Sequence, residues 1–259
     1  MAGRPERRRN PSPASDSPVR LNQYLARCGL GSRRGVERLI LEGRVTVNGL
    51  PAGRLAFQVS ATDAVALDGR PLRPSAGLTV LLHKPKGFLC TSLDPRGRPT
   101  VYDLLPTRWR NLRYVGRLDR ESEGLLLFTN DGLLIERLAH PRYKIPKVYE
   151  VESDRPLEAC RIATLLRGRC IEGRTARIDS FRVLGPRRVR VVLHQGLKRQ
   201  IRLMFAAIGF PVTRLVRIAY GPLLLGSLRA GQYRLLSGAE TEALIRAMAP
   251  NARASREKA

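Results

Sequence analysis

"GRLDRESEGLLLFTNDG", residues 116–132, carries a fully apolar run, Leu125 to Phe128, closed by the turn-forming residues Thr129, Asn130, Asp131 and Gly132. An apolar run this short between turn signals predicts a strand in the interior of a sheet. Asp119 then stands in a loop at the entrance to that strand, where a rigid element can present a reactive side chain. Taken alone, it fits equally well an Asp that caps a turn or pairs with Arg117 or Arg120.

The segments around it extend the pattern. "LTVLLHKP" (78–85) predicts a second buried strand, and a long loop follows through "TSLDPRGRPTVYDLLP". In "PKVYEV" (146–151), Lys147, Tyr149 and Val151 share one strand face, while Val148 and Glu150 share the other. A short helix is expected near 157–166, then alternating strands around "RIDSFRVL" and "RVRVVLHQ". Ile201, Met204, Phe205 and Ile208 recur at i, i+3, i+4 and i+7, which predicts a helix buried along one side; Arg199, Arg202 and Ala206 lie along another. Ser237 and Glu240 form a capping box for a last helix with Leu244, Ile245 and Met248. Strands and helices mixed in this order predict an α+β domain, a largely antiparallel central sheet flanked by helices and loops.

Upstream, "VRLNQYLARCGLGSRRGVERLILEGRVTVNG" (19–49) reads as two short helices and a strand that ends in an Asn-Gly turn. Leu21, Tyr24, Leu25 and Cys28 make one helical face; Val36, Leu39 and Ile40 start another behind Ser32 as N-cap. Arg33 and Arg34 occupy the first turn of the second helix, where the dipole disfavours cations by a few tenths to about 1 kcal/mol. Free N–H groups and two guanidinium forks at a helix start can hold phosphate, although an ordinary solvated basic face accounts for them equally well.

The chain has 259 residues, is 43% hydrophobic and carries a formal net charge of +25. Residues 1–18 and 250–259 hold seven basic and three acidic residues between them, so +21 stays on the body. A field of that size on a folded body favours a polyanion, because each Lys or Arg set on a phosphate also releases a counterion. Cys28, Cys90, Cys160 and Cys170 are scattered without a CxxC pair, which suits reduced thiols and a cytoplasmic protein. The three His show no metal-ligand spacing, so no metal is expected, and no apolar run is long enough for a bilayer, so no membrane partner is expected. The Pro-, Ser- and Arg-rich stretch 1–18 is expected to be a flexible basic arm, and 250–259 a disordered tail.

Two resemblances sharpen these readings. The 19–67 segment resembles the alpha-L RNA-binding domain first described in ribosomal protein S4; that likeness implies a small N-terminal α+β domain and makes Arg27, Arg33, Arg34 and Arg38 candidate phosphate ligands. "LDGRPLRPSAG" is read as the linker, 68–77. "HKPKGFLCTSLDPRGRPTVYDLLP", "GRLDRESEGLLLFTNDG", "HPRYKIPKVYEV" and "GLKRQIRLMFAAIGFPVTRLVRIAYG", in that order, closely resemble the RNA pseudouridine synthases of the RsuA and RluB type. That resemblance implies a catalytic domain over 78–249 that isomerises a uridine of ribosomal RNA, with large-subunit RNA favoured, as a monomer and without a cofactor. Carried over by position, it makes Asp119 the essential aspartate, Tyr149 the base-stacking tyrosine and Arg202 the basic partner of the aspartate. Arg117, Lys147, Lys198 and Arg199 become RNA-binding candidates. The chain departs from the family pattern at His83, usually Asn, and at Glu121, usually Asp. The alternatives are a non-catalytic ribosome-assembly factor on the same fold and, more remotely, a metal-dependent nuclease, for which the acidic residues are too dispersed.

Overall fold

Turn chemistry builds the first part of the chain. The computed structural model describes residues 18–31, 33–74 and 77–248 and divides into two units between residues 76 and 77. The first runs β1 (Val19–Arg20), α1 (Leu21–Arg27), α2 (Arg33–Leu41), β2 (Val45–Val47), β3 (Leu50–Pro51), β4 (Gln58–Val59), β5 (Val65–Leu67) and β6 (Arg70–Pro71). Leu21 and Leu25 of α1 meet Val36 and Ile40 of α2 over Val45, Val47, Val59 and Val65, all buried. Asn48 and Gly49, at φ 52° and 81°, close the β2–β3 hairpin as the Asn-Gly signal predicts. Asp68 and Gly69, at φ 48° and 77°, close β5–β6 in the same way.

That second hairpin corrects the expected linker over 68–77. Arg70–Pro71 pairs with β5, Leu72 N–H donates to the Val65 carbonyl at 2.8 Å, and the Tyr24 hydroxyl donates to the Leu72 carbonyl at 3.1 Å. The Asp-Gly pair supplies the two positive-φ positions of a tight hairpin, and proline is tolerated on the edge strand that follows. The expected N-cap Ser32, residues 1–17 of the basic arm and the tail 250–259 lie outside the described residues.

The second unit runs β7 (Thr79–Lys84), β8 (Arg113–Val115), β9 (Glu123–Thr129), α3 (Gly132–Ala139), β10 (Lys147–Ser153), α4 (Ala159–Ala163), β11 (Arg169–Ile171), β12 (Arg174–Ala176), β13 (Ser180–Gly185), β14 (Arg188–Leu193), α5 (Gln200–Ala207), β15 (Val212–Tyr220), β16 (Leu223–Leu224), β17 (Tyr233–Leu235) and α6 (Gly238–Ala247). Its central sheet has the order β13-β14-β10-β15-β9-β7-β17, with β8 also on β9 and β16 on β15. Among the described residues every strand pairing in this sheet is antiparallel except β9 with β15, which is the α+β architecture expected from the sequence. The 3.6-residue period of α5 is met by burial of Ile201, Met204, Phe205 and Ile208 against Tyr149, Val151, Val189, Val191 and Leu215. Leu125 and Leu127 face α3 and α6 through Leu134, Leu138 and Leu244, and Leu126 and Phe128 face Val101, Tyr102 and Leu112 of the long loop. The capping box of α6 forms in both directions.

The parallel pair is the tightest joint in the sheet. Gly124, at φ 110°, is the register partner of Arg217, and a Cβ built on it would come within 2.3 Å of the Arg217 carbonyl oxygen. Only glycine satisfies both the backbone angle and this approach. Gly124→Ala is therefore expected to destabilise the protein by at least about 2 kcal/mol, seen as a lower urea midpoint at unchanged slope.

Candidate active site

Three adjacent strands place the site. In register, Tyr149 of β10 lies beside Arg217 of β15, and Arg217 lies beside Gly124 of β9, just after the Asp119 loop. A cavity of about 550 Å³ opens there, within the roughly 300–1,000 Å³ range of small-molecule sites. Asp119, Tyr149, Lys147, Arg117, Lys198 and Arg199 all line it, so most of the residues singled out in the catalytic half of the sequence meet in one place.

The backbone of the Asp119 loop is held by two cations. Lys84, at the end of β7 and fully buried, donates from Nζ to the carbonyls of Asp119 (3.1 Å), Arg120 (3.3 Å), Ser122 (2.7 Å) and Pro85 (3.0 Å). Arg202 donates through Nη2 to the Glu121 carbonyl at 2.7 Å and through Nη1 to the Val212 carbonyl at 2.9 Å. Every carbonyl from 119 to 122 thus ends on a positive charge. The Leu118 N–H donates to Cys90 Sγ at 3.4 Å, and the Ser122 N–H to the Asp119 carbonyl at 3.0 Å. With its backbone fixed, the half-buried Asp119 makes no side-chain hydrogen bond or ion pair among the described residues and is left to the cavity.

This geometry differs from one expectation. Arg202 forms no ion pair with the Asp119 carboxylate; its fork is taken by carbonyls, and the two residues interact through charge alone. Burial and the neighbouring Arg199 lower the pKa of Arg202, while Asp119 and Glu121 act the other way. The helix face on which Arg202 lies was legible, but the direction of its fork was not, because the acceptors lie 81 and 10 residues away.

Other candidates take distinct places. Tyr149 is 8% exposed, and Lys147 donates from Nζ to the carbonyls of Ile145 (3.3 Å) and His194 (3.0 Å). Arg117, Lys198 and Arg199 are exposed at the rim, and Arg199 sets the N-cap of α5 at φ 52°. In the first unit Arg34 is exposed and Arg27 half-buried; Arg38 is exposed but already paired with Glu42 at 2.6 Å; Arg33 opens α2 with its side chain outside what is described. Of the two departures from the pattern, His83 is buried with Nδ1 2.7 Å from the Leu228 carbonyl, and Glu121 pairs with Lys86 at 3.3 Å. No group of three or more His, Cys, Asp or Glu that could hold a metal occurs among the described residues. None of the described helices is long and apolar enough to cross a membrane.

Two residues of the site were not singled out from the sequence, Lys84 and Arg217. Each ends or interrupts an apolar alternation, and a charge at an inward strand position is the signal that could have found them.

Comparison with known proteins fits this geometry. Residues 79–207 match the RNA pseudouridylate synthase family and residues 19–75 match the S4 domain. A protein of Aquifex aeolicus named uncharacterized RNA pseudouridine synthase is 38% identical, over 89% of this chain and 95% of its own length. The chain belongs to the RNA pseudouridine synthase family. A ribosomal large subunit pseudouridine synthase B of Bacillus subtilis is 36% identical over 87% of this chain and 95% of its own. The crystal structure of a pseudouridylate synthase aligns with a TM-score of 0.64 and 29% identity, over 87% of this chain and 99% of that one.

In this family member the Lys84 clamp invites a direct test. Lys84→Met removes the cation from the Pro85 and Ser122 carbonyls, while the Asp119 and Arg120 carbonyls keep the Ser122 and Gly87 N–H groups. The expected cost is about 2–4 kcal/mol in the urea unfolding free energy, with a larger relative loss of turnover than of RNA affinity. Burial, reinforced by the charge of Arg217, pushes the Lys147 ammonium down to about 8 from the ordinary 10.5. Between those values the folded protein binds fewer protons than the unfolded chain, so the Lys147 contribution to stability rises with pH above 8 and is flat below it. The gap in urea midpoint between wild type and Lys147→Met should accordingly change between pH 8 and 9.5, and not between pH 6 and 7.5.

Proposed function

We propose that this protein converts a specific uridine of ribosomal RNA to pseudouridine, with large-subunit RNA as the favoured substrate, and that Asp119 is the carboxylate that carries the reaction. The observation that carries the assignment of Asp119 is its isolation: it is the carboxylate lining the cavity, it makes no side-chain hydrogen bond or ion pair among the described residues, and the loop that carries it is clamped at four carbonyls. Large-subunit RNA is supported by the names of the Bacillus subtilis relative and of a ribosomal large subunit pseudouridine synthase B of Pseudomonas aeruginosa, 38% identical over 87% of this chain and 61% of its own length.

The reaction breaks the bond from N1 to C1′, turns the ring and joins C5 to C1′. One proton leaves C5 and one is gained at N1, so nothing is oxidised, hydrolysed or brought in, and no cofactor is called for. Inside a folded RNA the nucleotide must first leave its stack, at a cost of a few kcal/mol. Arg117, Lys198 and Arg199 at the rim are suited to take the flanking phosphates, and Arg27, Arg33, Arg34 and Arg38 to fix the RNA further away, which offsets that cost. Tyr149 offers the flipped base a ring to stack on, and Asp119 meets it either at the ribose or at the pyrimidine. Arg202 serves by fixing the loop that carries Asp119. Ribosomal RNA as substrate supports a cytoplasmic site of action.

Ribosomal RNA transcripts labelled with tritium at uridine C5 test the proposal. Wild type is expected to release tritium to water at one site per large-subunit RNA, and Asp119→Asn to release none above background while binding the RNA within about threefold. Tight binding with no release from transcripts of either subunit would overturn the assignment, and release by Asp119→Asn at the wild-type rate would overturn the role of the carboxylate.

A further inference from the structure

The floor of the cavity holds a charge that the chain itself does not neutralise. Burial along β15 alternates through Leu215, Arg217 and Ala219, so Arg217 occupies an inward position between two apolar residues and is only 2% exposed. Its Nε donates to the Leu125 carbonyl at 2.7 Å, but Nη2 is buried without an acceptor. Among the described residues no carboxylate pairs with it. Its Cζ lies 5.2 Å from the centre of the Tyr220 ring, and Lys147 Nζ lies 5.4 Å from the same ring, so two cations share one aromatic surface. An uncompensated buried guanidinium is strongly unfavourable, and an orphaned N–H adds to the cost. Such a group in the wall of a cavity is suited to a ligand that supplies the missing acceptor.

The place of Arg217 says which part of the ligand that is. Phosphates of an RNA chain are met by the exposed cations of the rim, whereas Arg217 is the register partner of Tyr149, deep in the sheet. A pyrimidine that stacks on Tyr149 brings its ring, with carbonyl oxygens O2 and O4, down to that level. We propose that Arg217 is a uracil-recognition residue that donates from Nη2 to a carbonyl oxygen of the flipped base and offsets the negative charge that collects there during the reaction. This rests on the reading of the cavity as the uridine site.

The charge arises by either route open to Asp119. If the N1–C1′ bond breaks first, its electron pair stays on the ring and spreads over O2 and O4. If the carboxylate adds to C6, the displaced pair moves through C5 to O4. In the second route the N1–C1′ bond then breaks with its pair on N1. In both, C5 closes on C1′, the C5 proton leaves to solvent, with the carboxylate expelled from C6 where it had added, and N1 is protonated, so Asp119 and Arg217 are unchanged at the end. A fixed donor aimed at developing charge in a desolvated site acts mainly on the chemical step, and removal of one such donor lowers rates on the order of 10²-fold.

The test compares wild type, Arg217→Gln and Arg217→Lys by single-turnover rate on saturating RNA, by RNA dissociation constant and by melting midpoint. Arg217→Gln is expected to lose about 100-fold in rate with RNA affinity within about threefold of wild type, and Arg217→Lys, which keeps the charge, to recover part of the loss. A rate for Arg217→Gln within about threefold of wild type would overturn the proposal, as would weaker RNA binding with the saturated rate intact, since that pattern belongs to a phosphate contact. The unaltered protein gives an answer that does not depend on the variants folding. RNA with 2-thiouridine or 4-thiouridine at the target replaces one carbonyl oxygen by a weaker acceptor, and one of the two should react roughly tenfold slower than uridine; both reacting at the uridine rate would refute the contact. Failure of the wild type on uridine itself would instead remove the uridine-site reading, and this proposal with it.

Discussion

Two cations on four consecutive carbonyls are the interaction on which the site depends. A loop ahead of a strand is ordinarily a mobile place for a reactive group, because its carbonyls can be satisfied by water in many conformations. Here Lys84 and Arg202 take the carbonyls of residues 119 to 122 from two sides, one from the strand next to β9 and one from α5. Burying these two charges is costly in itself, and burial pushes the Lys84 ammonium down to about 8. The cost is offset only in the arrangement that leaves the Asp119 side chain directed to the cavity, so the same interactions that specify the loop also pre-organise it.

The sheet supplies the reach for this clamp. Pairing β9 in parallel with β15, while β10 runs antiparallel to β15, sets the start of β9 against the middle of β15 and the tyrosine of β10. Gly124 permits that contact by presenting no Cβ to the Arg217 backbone. The clamp, the tyrosine and the buried arginine therefore come from segments distant in sequence, joined at one register. A slip of one residue in β15 would turn Arg217 outward and Val216 inward, replacing the charge at the cavity floor by an apolar side chain.

How much of this could be read from the sequence follows the range of each interaction. The apolar run that marks β9, the alternation of Lys147, Tyr149 and Val151, and the period of Ile201, Met204, Phe205 and Ile208 are local, and each fixed its element. The Asn48–Gly49 hairpin was read from its turn chemistry; Asp68–Gly69 carries the same chemistry but was masked by two prolines that suggested a linker. Lys84 finds its loop acceptors up to 38 residues away, Arg202 has one 81 residues away, and Arg217 finds Leu125 92 residues away. No local pattern gives the direction of such a side chain. What the sequence does show is the anomaly, a charge where the period calls for an apolar residue, and at Lys84 and Arg217 that anomaly marks the loop clamp and the buried cation of the cavity wall.

The cations of the site divide by depth, and under the proposed function the division offers a physical route by which a strongly basic protein could be selective. Rim charges such as Arg117, Lys198 and Arg199 are solvated, act through water and salt, and attract any polyanion in proportion to its phosphates. Charges at the floor are desolvated, and so interact strongly with whatever enters and weakly with what remains outside. RNA that only rests on the rim gains the first term without the second. On the proposed reading, a nucleotide that leaves its stack and descends to Tyr149 would gain both, and only then meet the carboxylate of Asp119. On the same reading Asp119 would cost little affinity for phosphate, because it lies below the exposed cations of the rim and close to Lys84 and Arg202, the charges that hold its loop in place.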